Sequence, residues 1–330
     1  MLPSVSVHIV TYNSADDIVE CLNAVRQQTY GIQQVVIIDN ASSDDTVAHV
    51  TSFIEQVCNS SNSSEPNHFD HMDSGKTDTQ FLLVPNKRNT GFAPAHNQAI
   101  ELTNTDYVLV LNPDVQLQPN YIELLIEYMK KHPNTGSATG LLLLKSMPDI
   151  VDSTGIVMNG IWRAFDRGAG EAAQLWHKSG NVFGVSGAAA LYARTMIKDI
   201  SIQGEFFDAD FFAYKEDVDV AWRAQQLGWK AYYCAEAVGT HERGWKKGGR
   251  RQQPIFVRRM SYINRYKMIY KNLSGYGWLK QLPQLLFYEL LTHGYILLRE
   301  PKVLGAWKSF QQQLPTLKLK RQAIQRKQRQ

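Results

Sequence analysis

Gln34-Val-Val-Ile-Ile-Asp-Asn40 runs directly into Ala41-Ser-Ser-Asp-Asp-Thr46. Four consecutive apolar β-branched residues between polar ends describe a short strand buried on both faces. Its polar end opens a loop, and a helix follows. The same unit recurs on both sides. Ser4 to Val10 alternates and is rich in Val and Ile, so it reads as a strand. Thr11-Tyr-Asn-Ser14 follows as a turn, with Ser14 as N-cap, Asp16 and Asp17 in the first helical turn, and a helix to about Gln28. Downstream, Phe81–Val84 is a third strand and Gly91–Leu102 a third helix. Tyr107–Leu111 is a fourth strand, stopped by Asn112-Pro-Asp114, and a helix runs from Leu117 to Lys131. Strands alternating with helices predict an α/β fold with a mostly parallel sheet covered on both faces. Such sheets bind ligands at the carboxyl ends of their strands, which here read Thr11-Tyr-Asn13, Asp39-Asn40 and Asn112-Pro-Asp114.

With 330 residues, the chain has room for one large domain or one domain with an appendage. Cys21, Cys58 and Cys234 show no paired spacing, which predicts neither a disulfide framework nor a zinc site and fits a reducing compartment. The N-terminus starts on a strand pattern, so neither a secretory leader nor a spanning helix is expected. The net charge of +4 hides a split: residues 243–330 carry 20 Lys and Arg against Glu289 and Glu300 alone, a balance of +18, which leaves −14 for residues 1–242. An acidic body with a basic tail suits a polyanionic partner, either nucleic acid or an anionic membrane surface.

Residues 58–79 are rich in Ser, Asn, Asp and His and read as a long mobile surface loop, with a metal patch around His68, Asp70, His71 and Asp73 as the alternative. Beyond Gly136 the pattern is less regular. Gly140–Leu144 and Val182–Tyr192 read as strands, and Ser186-Gly-Ala-Ala-Ala190 permits close backbone approach. Phe206-Phe-Asp-Ala-Asp-Phe-Phe-Ala-Tyr214 sets Asp208 and Asp210 among aromatics, where a carboxylate is costly to desolvate without a partner. Lys215 to Leu227 forms a helix that places Asp219 and Arg223 four residues apart and ends at Gly228. His241 reads as a loop residue.

Arg258–Asn272 shows a basic helical pattern. In Gln281–Arg299 the polar residues Gln281, Gln284, Tyr288, Thr292, Tyr295 and Arg299 fall on one stripe, and most other positions are Leu, Ile or Phe. Such a helix suits a membrane interface with basic flanks on anionic lipid; the alternative is packing onto the main domain. The run from Lys320 to Arg329 reads as a frayed basic tail.

Together, Val10-Thr-Tyr-Asn-Ser14, Asp39-Asn-Ala-Ser-Ser-Asp44, Asn89-Thr-Gly-Phe-Ala93 with Asn97, Leu111-Asn-Pro-Asp114 and Tyr214-Lys-Glu-Asp-Val-Asp219 resemble the motif series of family 2 glycosyltransferases. The Asn-Pro-Asp and Gly-Phe-Ala forms resemble its rhamnosyltransferase-like branch. The resemblance covers about residues 4–242 and implies a GT-A fold, with residues 1–115 as the nucleotide-sugar half and 116–242 as the acceptor half. Residues 243–330 would then be a helical, membrane-associating extension. The implied activity is inverting transfer from a nucleoside diphosphate sugar, with dTDP-rhamnose among the donors. A lipid-linked saccharide would be the acceptor, in polysaccharide or O-antigen synthesis. The implied location is cytoplasmic, peripheral on the inner face of the cytoplasmic membrane, with no nucleic acid partner expected.

The resemblance also implies roles. Thr11, Tyr12, Asn13, Asp39, Asn40, Asn89, Gly91, Phe92, Asn97 and Asn112 would bind the donor, with Asp39 reading the pyrimidine edge unless it only caps a turn. Lys87 and Arg88 approach phosphate or form a solvated turn. Asp114 and His241 would hold a divalent cation, Mg²⁺ or Mn²⁺, against the leaving diphosphate. Many relatives have Asp where this chain has Asn112, which removes one anionic ligand. Asp217 matches the general base, with Glu216 and Asp219 as alternatives; helix position lowers its pKa and aromatic surroundings raise it. Ser186, Gly187 and Trp162 would face the acceptor, together with Arg163. Asp219 reads as the partner of Arg223, and Trp222 as a core residue or a sugar-stacking face. A non-catalytic sugar-binding protein on the same scaffold is the alternative.

Overall fold

A computed structural model describes residues 2–62, 79–242, 252–275 and 277–329. The chain runs β1 (Val5–Thr11), α1 (Ile18–Arg26), β2 (Gln34–Asp39), α2 (Thr46–Asn62), β3 (Gln80–Pro85), α3 (Phe92–Glu101), β4 (Tyr107–Leu111), β5 (Val115–Leu117) and α4 (Tyr121–Lys131). It continues through β6 (Thr135–Leu144), β7 (Met147–Ser153), β8 (Ile156–Met158), β9 (Ala164–Asp166), β10 (Gly180–Val182), β11 (Ala189–Ala193), α5 (Arg194–Ile200), α6 (Glu216–Gln226) and β12 (Lys230–His241). The last helices are α7 (Ile255–Asn272), α8 (Leu282–Arg299) and α9 (Trp307–Lys327).

The central sheet has the order β10-β12-β6-β11-β4-β1-β2-β3. The pairs β1–β2, β1–β4, β2–β3 and β12–β6 are parallel; β11 reverses between β4 and β6, and β10, β5 and β7 pair antiparallel to β12, β12 and β6. The long strands therefore point the same way, as the βα alternation predicts. From β1 the chain first builds outward through β2 and β3, then crosses to place β4 on the other side. That reversal opens a crevice at the carboxyl ends of β1 and β4.

Val5, Val7 and Ile9 alternate onto one face of the sheet and pack with Ile18, Leu22 and Val25 of α1; Val36 and Ile38 face the other way, onto Ala95 and Ala99 of α3. Both faces are thus covered by helices, which explains the continuous apolar run in β2.

Six local readings change; one is that Leu117 ends β5 and the helix expected from it starts at Tyr121. The first turn of α1 is not capped by Ser14: the helix starts at Ile18, and the Ser14 carbonyl accepts from Asp17 and Ile18 instead. Residues 58–62 belong to α2 rather than to a loop, and residues 63–78, including the His68–Asp73 patch, lie outside the described residues. The strand expected over Val182–Tyr192 divides into β10 and β11, and the intervening residues cross the carboxyl edge of the sheet. His241 ends a strand, paired with Leu144 and Val115. The basic run after Lys320 is helical, and α9 buries Leu317, Lys320 and Ile324.

Helices α7 and α9 pack onto the segment that precedes α6. Asp208 pairs with Lys271 of α7 and with Lys320 of α9. Lys320 also reaches Asp210 at 2.9 Å and Glu205 at 3.1 Å. Asp219 takes Arg223 at 2.9 Å and Lys271 at 3.0 Å. Burial alone would raise the Asp208 pKa, but the charges and hydrogen bonds of the two lysines hold it well below the usual carboxylate range. The two aspartates set among aromatics are thus anchors for the C-terminal helices. Phe206, Phe207 and Phe211 are fully buried core residues.

Candidate active site

The strand ends assemble the site by register. Thr11 at the end of β1 sits beside Asp39 at the end of β2. Leu111 at the end of β4 pairs with Ala189 at the start of β11. The segment Ser186–Ala188 therefore lies next to Asn112, whose backbone N–H donates to the Ala188 carbonyl at 2.8 Å.

An open cleft of about 520 Å³ lies over these ends. It is lined by Phe92, Asn112, Asp114, Ser186, Gly187, Glu216, Asp217 and His241 among the residues singled out from the sequence, and by Asp166, Tyr214, Lys215 and Ser261 besides.

The remaining donor-motif residues are close by, but several are occupied with each other. Asp39 is buried and accepts from the Thr11 hydroxyl at 2.9 Å, the Ser42 hydroxyl at 2.5 Å and the Ser42 backbone N–H at 2.9 Å. Asn40 donates to the Gly91 carbonyl at 3.1 Å and accepts from Asn86 and Thr90. Asn89 accepts from the Gly91 N–H at 2.9 Å. Asn13 accepts from the Ser43 N–H at 2.8 Å, and Tyr12 is 53% exposed at the rim. Asn97 is committed to the backbone of Phe207, donating to its carbonyl at 2.6 Å and accepting from its N–H at 2.9 Å. None of these residues lines the cleft itself; their hydrogen bonds tie the strand-end loops and α3 to one another. Trp162 lies elsewhere, in a neighbouring chamber with Arg163. Trp222 packs in a buried cluster with Ile156, Trp162, Phe211, Val218 and Met268, which settles it as a core residue.

Asp217 is the second residue of α6. Its Oδ1 accepts from the Val218 N–H at 2.8 Å and its Oδ2 from the Gly187 N–H at 3.3 Å. Burial nonetheless raises its pKa. Glu216 is buried with Oε2 lacking a hydrogen bond, and burial together with the neighbouring Asp217 pushes it up to about 8. The loop that delivers them is strained. Phe212, Tyr214 and Lys215 adopt φ of 62°, 70° and 75°, in the left-handed region that non-glycine residues rarely visit. Asn264 of α7 holds this loop: its side-chain amide lies within 2.9 Å of the carbonyls of Phe211, Ala213 and Tyr214. Gly91 meets the same loop with φ of 93°, and a Cβ there would lie 2.5 Å from the Phe212 carbonyl oxygen, so only glycine fits.

His241 and Asp114 face each other across 3.3 Å, Nε2 to Oδ1. Nδ1 of His241 is 2.8 Å from Asp152 Oδ2. Burial opposes the charged imidazole, but hydrogen bonds and charge from Asp114 and Asp152 push its pKa up to about 9. Asp114 Oδ1 is buried and has no hydrogen-bond partner apart from the His241 imidazole. A hard carboxylate oxygen and an imidazole nitrogen, the latter oriented by a second carboxylate on its far side, fit a divalent cation. Among the described residues no third acidic, His or Cys side chain completes a cluster.

Sequence reasoning did not find Asp152 or Asn264. Asp152 meets His241 only through the pairing of β7 and β12 with β6. Asn264 looked like one more polar residue on a basic helix. The strain at Lys215 has no signature in residue type either.

The Glycosyl transferase family 2 profile matches residues 6–200, and that of Glycosyl transferase family group 2 matches residues 107–306. The chain is 24% identical over 232 residues to the poly-β-1,6-N-acetyl-D-glucosamine synthase of Staphylococcus aureus, covering 70% of this chain and 48% of the synthase. It thus spans about half the length of the curated relatives it matches. Among solved structures it resembles GalNAc-T7 with UDP, GalNAc and Mn²⁺, at a TM-score of 0.59 and 13% identity, over 82% of this chain and 49% of that one. It also resembles the mannosyltransferase PcManGT of Pyrobaculum calidifontis in complex with GDP-Man and Mn²⁺, at a TM-score of 0.53 and 16% identity, over 96% of this chain and 76% of that one.

Proposed function

The chain belongs to glycosyl transferase family 2, and on that premise we propose that it moves a sugar from a nucleoside diphosphate to an acceptor saccharide with inversion. The observation that carries this reading is one cleft holding both an ionisable carboxylate at the head of α6 and the Asp114–His241 pair. In the proposed reaction Asp217 takes the proton of the acceptor hydroxyl. The acceptor oxygen bonds to the anomeric carbon as the bond from that carbon to the diphosphate oxygen breaks, and the nucleoside diphosphate leaves. The Gly187 N–H aims the Asp217 carboxylate, and burial keeps its proton affinity above that of an ordinary Asp. The charge of Asp166, which lines the same cleft, adds to that rise, while Lys215 opposes it. Asp114 and His241 would hold a divalent cation, Mg²⁺ or Mn²⁺, which supplies neutralisation of the departing diphosphate. Asn112, beside them in the cleft, offers a neutral oxygen where an acidic ligand would add charge.

The Asn112-Pro-Asp114 and Gly91-Phe92-Ala93 forms support dTDP-rhamnose as donor, and the acceptor we propose is a lipid-linked saccharide of polysaccharide or O-antigen assembly. Helix α8 supports a location on an anionic membrane surface, the inner face of the cytoplasmic membrane. No described helix is long and apolar enough to cross a membrane. However, Leu286, Phe287, Leu290, Leu291, Leu297 and Leu298 of α8 are 57–81% exposed. A panel of nucleoside diphosphate sugars, with and without Mn²⁺, tests the donor reading. One donor should raise the melting temperature, and more strongly with the metal; silence across the whole panel in both conditions would contradict it.

A further inference from the structure

A second chamber of about 480 Å³ adjoins the cleft, and Ala164, Lys215 and Ser261 line both. Its walls come from the β8–β9 turn, α7 and α8. Arg163 lies over the rings of Phe165 at 4.7 Å and Tyr288 at 5.1 Å, and makes no ion pair among the described residues. Arg265 pairs with Glu289 at 2.6 Å and donates to the Ile161 carbonyl, while its Nε is buried without a hydrogen bond. Lys215 stands at the junction with the cleft. Three cations thus line the chamber, with Glu289 on Arg265 and with Glu216 and Asp217 beside Lys215 on the cleft side.

Helix α8 is oriented oppositely to an ordinary amphipathic helix. Its polar positions Tyr288 and Thr292 face the chamber, while Phe287 is 65%, Leu291 57%, Tyr295 46% and Leu298 81% exposed. These four recur at spacings of four, four and three, so they form one stripe along the helix. Leu291 and Tyr295 belong to both stripe and chamber. An anionic cavity ligand therefore has a continuous apolar path leading away from it.

We propose that this chamber seats the lipid diphosphate end of the acceptor, with the diphosphate on Arg163, Arg265 and Lys215 and the hydrocarbon chain on the stripe from Leu291 to Leu298. The assignment rests on the reading of the adjoining cleft as a sugar-transfer site. A free oligosaccharide would use the aromatic wall but leave the stripe bare. A bilayer alone would cover the stripe but leave the chamber's cations without an anion. A saccharide on a lipid diphosphate meets both, and the shared wall at Lys215 lets its sugar reach Asp217.

Farnesyl diphosphate is a water-dispersible probe, titrated calorimetrically against the full chain in EDTA so that cation-dependent diphosphate binding at Asp114 and His241 does not contribute. It should bind at least about tenfold more tightly than either farnesol or inorganic diphosphate. Arg163→Gln should weaken farnesyl diphosphate by about tenfold or more. Leu298→Asp, on an exposed stripe position outside the chamber, should weaken farnesyl diphosphate while leaving inorganic diphosphate unchanged. The proposal is overturned if farnesyl diphosphate binds no better than inorganic diphosphate, or if a folded Arg163→Gln and Leu298→Asp both bind like the parent. Nucleotide-sugar protection that persists in that case would leave the transferase reading standing; its absence would remove the premise instead.

Discussion

At the level of single residues, the site turns on a carboxylate and an imidazole whose surroundings differ. Asp217 is held by two backbone N–H groups yet raised by burial. A base must be ionised to act, so the transfer rate should climb with pH through a midpoint above the ordinary Asp value of about 4. A midpoint at or below that value in a kcat–pH profile would refute the assignment. His241 carries the opposite sign. Its folded pKa of about 9 lies above the unfolded value, so in the metal-free protein its stabilising contribution is complete below about pH 6.5 and is lost as pH rises through about 9. A cation needs the neutral ring, so binding expels the proton, and Mn²⁺ affinity should rise by up to about tenfold per pH unit across that window. Calorimetric titration with Mn²⁺ at pH 6.5, 7.5 and 9 measures it; an affinity flat in pH would exclude His241 as a ligand. The meeting of Asn112, Asp114, Asp217 and His241 was legible in the order of short motifs. Asp152 was not, because its contact with His241 spans 89 residues and depends on strand pairing.

At the level of elements, the C-terminal helices act on the catalytic loop through buried charge. Lys320 of α9 and Lys271 of α7 converge on Asp208, and Asn264 of α7 supports the left-handed run from Phe212 to Lys215. Removing one member of such a group strands the others, so Lys320→Met should cost about 3–5 kcal/mol of stability, read as a fall in melting temperature. A change near zero would mean that the pairs are solvated. Asn264→Ala should lower kcat more than it weakens donor binding, since its targets are loop carbonyls; equal loss of both would show a general packing defect. The alternation of β and α elements was readable because period and turn chemistry agree along residues 4–131. The basic run at the C-terminus was misread as frayed because lysine in a pattern stands for solvent, whereas Lys320 is buried against three carboxylates. His241 was misread as loop because Gly239 and Thr240 interrupt the apolar pattern of β12.

At the level of the whole molecule, an acidic body carries a basic helical end whose outer helix shows leucines to its surroundings. Each large apolar side chain fully transferred out of water contributes roughly 1.5–3 kcal/mol, so a row of them supports interfacial binding, with the tail's charge drawn to anionic lipid. Leu290→Asp with Leu298→Asp should abolish sedimentation with vesicles containing phosphatidylglycerol while the melting temperature holds. Unchanged sedimentation would assign those leucines to a protein partner. The polar stripe of α8 was visible in the sequence, but not which way it turns. That depends on Tyr288 and Thr292 finding a chamber built by α7 and a distant hairpin.

The central claim is that Asp217 drives sugar transfer in a cleft that binds its donor without it. The most direct measurement compares the parent and Asp217→Asn, using the donor that protects the protein best, for both donor affinity and transfer to acceptor. Asn keeps the shape and can still accept the Gly187 N–H, so donor affinity should stay within about twofold while the transfer rate falls by roughly 10²–10⁴. Transfer that continues at the parent's rate in Asp217→Asn would contradict the account.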